Sequence, residues 1–200
     1  MLGEAFRRRP PNDELKDLLF GPANALEDAI RDDAAVLLED ILTAEAQRDT
    51  GRLHRQNSLG LVEHDEGDDD DTLPKVKIEE RFLLEFDIQN AGYMLVVTNA
   101  QQDWGLVKFA EGGFSKRTPT GSVIVPGIAK GKPIPLYERN TRGIHRFMLF
   151  ISPAPFPPVF SQAHAGRKNF DWTMLCQLAR FYDQLPSGRR EIHMLSIRMA

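Results

Sequence analysis

The sequence predicts a mainly β protein with helices: an antiparallel β-sandwich-like C-terminal domain carrying one C-terminal helix, preceded by an α-helical N-terminal segment and an acidic linker. Three observations point there. Apolar residues fall at mostly even positions at Val76, Ile78, Phe82, Leu84, Phe86 and Ile88, the period of a half-buried strand. Two strand-like runs follow, Tyr93–Thr98 and Trp104–Phe109, with the polar Asn99–Asp103 between them. The charge balance also reverses near residue 75. Residues 1–75 hold 9 Lys/Arg against 19 Asp/Glu, a net of −10, whereas residues 76–200 hold 16 against 10, a net of +6. The expected parts are a helical interaction segment at 1–48, a flexible acidic linker at 49–75 and the β domain at 76–200.

The N-terminal part reads as two helices. Asn12 caps the first, its apolar edge is Leu15, Leu18 and Leu19, and Gly21-Pro22 ends it at Phe20. The second spans about 23–48. Leu26, Ile30, Ala34, Leu37 and Ile41 recur at steps of three and four, which makes an amphipathic stripe. Two such helices cannot bury this stripe alone. Each large aliphatic side chain gains about 1.5–3 kcal/mol on burial, so the stripe needs a cover. Leu26, Ile30, Leu37 and Ile41 are therefore candidate partner-binding residues. The chain's own β domain is the other possible cover, and both stay open at this point.

Residues 49–75 carry few apolar side chains, and six of the eight residues His64–Asp71 are acidic. Self-repulsion predicts a solvated tether. Arg48, Arg52 and Arg55 flank it, which marks a possible cleavage region. The acidic run lacks the glycine turn and terminal Glu of a calcium loop, so no metal site is expected.

Further strands are expected at Ser122–Val125, Ile134–Tyr137 and Ile144–Ser152, the last a fully buried strand, RFMLFIS, ended by Pro153. A helix capped by Asp171 follows at Trp172–Leu185, with Leu175, Leu178, Ala179 and Tyr182 on one face. Ile192, Leu195 and Ile197 suggest a final strand.

From Val76 onward the order of features resembles a DUF4384-type domain, a bacterial β-sandwich-like module. The residues carrying the resemblance are Ala91-Gly92-Tyr93 opening a strand, Gly105–Phe109 after a short turn, Val125-Pro126, Lys132–Leu136, and Gly143 leading into Phe147–Ser152. The resemblance implies an accessory role beside caspase-like peptidases, protein kinases or other signalling proteins, with no catalytic residues carried over.

Catalytic signatures are weak. Cys176, the single cysteine, falls among Leu175 and Leu178 in the expected helix, where a thiol usually behaves as a small buried apolar group. No nucleophile elbow, P-loop or paired-histidine zinc motif occurs, and the five histidines lack ligand spacing. Neither an enzyme nor a cofactor is expected. Arg139, Arg142, Arg146, Arg189 and Arg190 form a possible basic patch, with Phe114, Tyr137 and Phe170 able to stack bases; nucleic-acid binding is the alternative function. The same cations are equally able to hold the acidic N-terminal part. No apolar run approaches the length of about 18 residues that crosses a bilayer. Residues 1–11 hold three arginines without an apolar stretch behind them, so no secretory leader is expected. With one cysteine, this favours the reducing cytoplasm. The expected function is that of a non-enzymatic regulatory or adaptor protein of a signalling system. Its partner would be a protease or a signalling or transcription factor bound through the N-terminal helices, with release by cleavage in the linker.

Overall fold

In the strand at 143–152 the apolar run Phe147–Ile151 leaves no polar face, so both sides of that strand must be covered. The computed structural model, which describes residues 36–56, 62–64, 73–101, 103–161 and 172–200, shows how. Its elements in chain order are α1 (36–45), β1 (Gln47–Arg48), β2 (Gly51–Gln56), β3 (Val62–His64), β4 (Lys75–Val76), β5 (Arg81–Ile88), β6 (Gly92–Ala100), β7 (Asp103–Leu106), β8 (Ser115–Thr118), β9 (Gly121–Val125), β10 (Ile128–Ala129), β11 (Lys132–Pro133), β12 (Gly143–Ser152), α2 (Pro158–Ser161), α3 (Trp172–Gln184) and β13 (Glu191–Met199). A large sheet is ordered β1-β13-β12-β6-β7, with β4 also on β13 and β8 also on β6. A smaller sheet is ordered β3-β2-β5-β9, and β10-β11 is a separate hairpin.

The two sheets enclose one core: Leu53, Phe82, Leu84 and Phe86 from the small sheet meet Met94, Val96, Phe147, Leu149, Leu195 and Ile197 from the large one. The opposite face of the large sheet carries a second core. There Leu95, Val97, Met148, Phe150 and Ile192 pack with Leu38, Ile41 and Leu42 of α1, Phe160 of α2, and Leu175, Leu178 and Tyr182 of α3. The chain is thus a mainly β sandwich with a helical layer on its larger sheet. The C-terminal helix stands where the sequence places it, one residue shorter.

Three expectations are corrected. The linker does not begin at residue 49. Gly51–Gln56 is a strand of the small sheet, paired with β5 from Gly51↔Phe86 to Gln56↔Arg81. A Cβ on Gly51 would stand 2.6 Å from the Phe86 ring, so the chain crosses between the sheets with no room for a side chain. Second, Val76–Ile88 is two strands. Glu79 adopts a positive φ of 66°, which breaks the alternation. β4 therefore stays beside β13 in the large sheet while β5 enters the small one. Third, Asn99 and Ala100 belong to β6, opposite Trp104 and Asp103, so the paired strands extend into the expected five-residue loop.

Arg48, Arg52 and Arg55, read as a cleavage region, lie in β1 and β2. Arg52 pairs with Asp87 at 2.8 Å, and Arg55 donates to the Lys75 carbonyl at 2.6 Å. A protease needs an extended, unpaired segment. Brief trypsin digestion of the folded chain should therefore leave the bonds after Arg52 and Arg55 intact, as mass spectrometry of the fragments will show; rapid cutting there would contradict their place in β2.

Candidate functional site

β13 carries two ionisable residues on its sandwich face, Glu191 and His193, two positions apart and in line with Leu195 and Ile197. Both are almost fully buried. His193 Nε2 lies 2.5 Å from Glu191 Oε1, and its Nδ1 lies 2.8 Å from the Thr50 hydroxyl. Glu191 also accepts hydrogen bonds from the backbone N–H groups of Gln89 and Asn90 and from the Asn90 side chain, at 2.9–3.1 Å. Burial pushes the Glu191 carboxyl up. The Gln89 N–H, the His193 hydrogen bond and the Asn90 N–H outweigh it and hold the group below its usual range.

The order hydroxyl–imidazole–carboxylate is that of a nucleophile relay, so its use must be weighed. Thr50 stands where the chain passes from β1 to β2, and its hydroxyl also lies 3.1 Å from the Gln47 carbonyl of the same turn. Gln89 and Asn90 form the turn from β5 to β6. The cluster thus fastens two of the chain's crossings between the sheets, β1 to β2 and β5 to β6, to β13. The backbone N–H bonds to Glu191 hold the second crossing and His193 holds Thr50 of the first, so the pair acts as a rivet between them.

A second cluster lies on the small sheet. Glu85 bonds His54 Nε2 at 2.7 Å and also accepts from the Ser122 hydroxyl. The Ser122 bond is the largest influence holding the Glu85 carboxyl below its usual range, and His54 and Arg52 act in the same sense. Here the carboxylate, not the imidazole, is the middle member, so His54 does not reach the Ser122 hydroxyl, and the cluster ties β2, β5 and β9 together.

The expected site residues are dispersed. Arg142 precedes β12 at one end of the β12–β13 ladder, whereas Arg189 and Arg190 precede β13 at the other; the ladder runs from Gly143↔Met199 to Ile151↔Glu191. Eight steps of about 3.4 Å separate the two ends by roughly 27 Å, so these cations form no single patch. Two of them hold α1. Arg146 makes a bidentate pair with Glu39 at 3.0 and 3.2 Å. Arg190 pairs with Glu45 through Nε and Nη2, and also donates to the Tyr182 and Leu185 carbonyls at the end of α3. Arg139 stacks on Tyr137, 5.0 Å from the ring centroid. Phe114, a proposed stacking residue, is buried in the helical-face core, and Phe170 lies outside the described residues.

Of the stripe, Ile41 is buried and Leu37 is half-buried against the same core; Leu26 and Ile30 lie outside the described residues. For Leu37 and Ile41 the cover is the chain's own domain, a correction to their reading as partner contacts. The acidic run 65–71 is also outside the described residues. Among the described residues, no group of three or more His, Cys, Asp or Glu is placed to hold a metal ion, and no helix is long and apolar enough to cross a membrane.

Cys176 is buried beside Leu175 and Leu178. Its thiol should resist modification by a polar reagent in the native protein and react at once after denaturation. Cys176→Ala should cost about 1–2 kcal/mol without changing binding. Fast native labelling would contradict this placement.

No protein-family model, curated protein or solved structure matches the chain.

Proposed function

We propose that the protein is a non-enzymatic regulatory or adaptor module whose β domain holds an N-terminal partner-binding segment. The observation that carries this reading is the anchoring of α1. Leu38, Ile41 and Leu42 are buried on the large sheet, and Glu39 in the first turn of the helix and Glu45 at its end are held by Arg146 and Arg190. Partly exposed ion pairs such as Arg146–Glu39 add little energy, but they fix direction and register. A helix fixed in this way sets the position and direction of residue 36, to which the N-terminal segment is joined. Leu26 and Ile30, which continue the same stripe beyond the anchored turns, are the proposed partner contacts. An accessory role beside a protease or another signalling protein is also what the DUF4384-type resemblance implies. Any cleavage in this region would spare Arg52 and Arg55, which β2 holds in the small sheet.

The test is cross-linked capture from the native host, followed by reconstitution with the purified partner. The double variant Leu26→Asp/Ile30→Asp should weaken that complex at least about tenfold with an unchanged melting temperature. Equal binding by variant and parent would contradict the reading.

A further inference from the structure

Among the described residues, five large apolar side chains stand out as exposed, and three of them, Ile128, Ile134 and Tyr137, fall within ten residues. Their position in the fold is specific. β9 runs beside β5 as far as Val125, opposite Leu84. The chain then leaves the sheet, forms the β10-β11 hairpin, and returns to the same row at Leu136, which exchanges both backbone hydrogen bonds with Phe82. The hairpin is thus an excursion from an edge strand. The Ile134 N–H donates to the Gly127 carbonyl and the Ala110 N–H to the Pro126 carbonyl, which close its base.

The tip carries the second observation. Ala129 pairs with Lys132, and the two residues between them, Lys130 and Gly131, both have positive φ, 52° and 75°. That is the pattern of a type I′ turn, whose first position favours Asn, Asp or Gly. A lysine there is held in a strained conformation, at a cost of order 1–3 kcal/mol, where a short polar residue would sit more easily. Lys132 follows on the returning strand. Lys116 Nζ stands at the base, 3.7 Å from where a Cβ on Gly127 would lie. Arg139 lies over the exposed Tyr137 ring. A projecting hairpin with the exposed Ile128 and Ile134 on its arms and Lys130 and Lys132 at its tip has the make-up of a recognition element.

We propose that residues 127–139 form a second interaction surface, independent of the N-terminal segment, which docks an acidic polypeptide carrying apolar anchors. Charge complementarity selects an acidic partner, and Ile128 and Ile134 select apolar anchors over a purely ionic contact. A polypeptide suits the surface better than a nucleic-acid backbone. Two of its three exposed apolar side chains, Ile128 and Ile134, are aliphatic, and the third, the Tyr137 ring, already carries the Arg139 guanidinium on its face. Glu111 pairs with Lys116 and Glu138 accepts the Arg139 N–H, which leaves Lys130 and Lys132 at the tip for acidic side chains, too few cations to follow a line of phosphates.

The test uses the full chain and fluorescence anisotropy with four named probes: a short labelled peptide alternating Glu and Leu, its Gln/Leu counterpart, oligothymidylate, and phosphatidylserine vesicles. The Glu/Leu peptide should bind at least about tenfold more tightly than the other three. Lys130→Asn is the discriminating variant. It suits the left-handed turn and removes only the charge, so it should keep or raise the melting temperature while weakening peptide binding severalfold. Ile128→Ser/Ile134→Ser should weaken it at least about tenfold. Preference for oligothymidylate, for vesicles or for the neutral peptide would overturn the proposal. So would Lys130→Asn binding like the parent, and so would absence of peptide binding. Leu26→Asp/Ile30→Asp should leave binding of the Glu/Leu peptide unchanged, which separates failure of this surface from failure of the N-terminal reading.

Discussion

Glu191→Gln should destabilise the protein by about 3–5 kcal/mol, with loss of cooperative packing at the β1–β2 and β5–β6 crossings. The carboxylate accepts from two backbone N–H groups, the Asn90 amide and His193. A glutamine keeps one oxygen and turns an NH2 group toward donors, so buried N–H groups lose their acceptor while the new amide lacks one. The effect also has a pH signature. The carboxyl is held below its ordinary value of 4.5 in the folded state. Its contribution is therefore fully present above the unfolded value and is lost as pH falls through the folded one. Chemical denaturation between neutral pH and pH about 3 should show the parent losing stability more steeply than the variant. Glu85 and Glu138 are held below the same ordinary value, so the variant keeps part of the slope. A variant as stable as the parent, with an identical slope, would remove the rivet from the account.

Ile41→Asp should be comparably damaging. Ile41 is 6% exposed in the core shared by α1, α3 and the large sheet. An uncompensated charge there costs about 3–5 kcal/mol, and a domain of this size should lose roughly 10 °C or more in melting temperature. Leu37→Asp, one turn earlier and half-buried, should cost clearly less. The ranking matters because a stripe reserved for a partner would leave the melting temperature untouched in both variants.

The parts of the fold legible in the sequence are those whose burial is written in one continuous pattern. β12 reads as a strand because Phe147–Ile151 has no polar member, and α3 because Leu175, Leu178, Ala179 and Tyr182 fit one helical face. β2 was hidden for the opposite reason. In GRLHRQ only Leu53 is an apolar side chain facing the sandwich, while His54 is buried on the other face through its bond to Glu85. Polar burial satisfied by a residue 31 positions away leaves no local signal. Glu191 and His193 were missed likewise, although their spacing was informative: two polar residues share the strand face of Leu195 and Ile197, so the pair had to be either bonded together or misplaced. The cations illustrate the limit of composition. Arg146 and Arg190 look alike in a charge count, yet each is assigned to a carboxylate more than a hundred residues earlier.

Leu38, Ile41 and Leu42 join α1 to the large sheet closely enough that helix and β domain should unfold as one cooperative unit. Amide hydrogen exchange of the intact chain is the measurement that decides it. The amides of residues 40–45 and of β2 should exchange only with global unfolding, at the same free energy as those of β12. Exchange of 40–45 by local opening, several kcal/mol below that of β12, would show that the helix is not fixed to the sheet and would contradict the account.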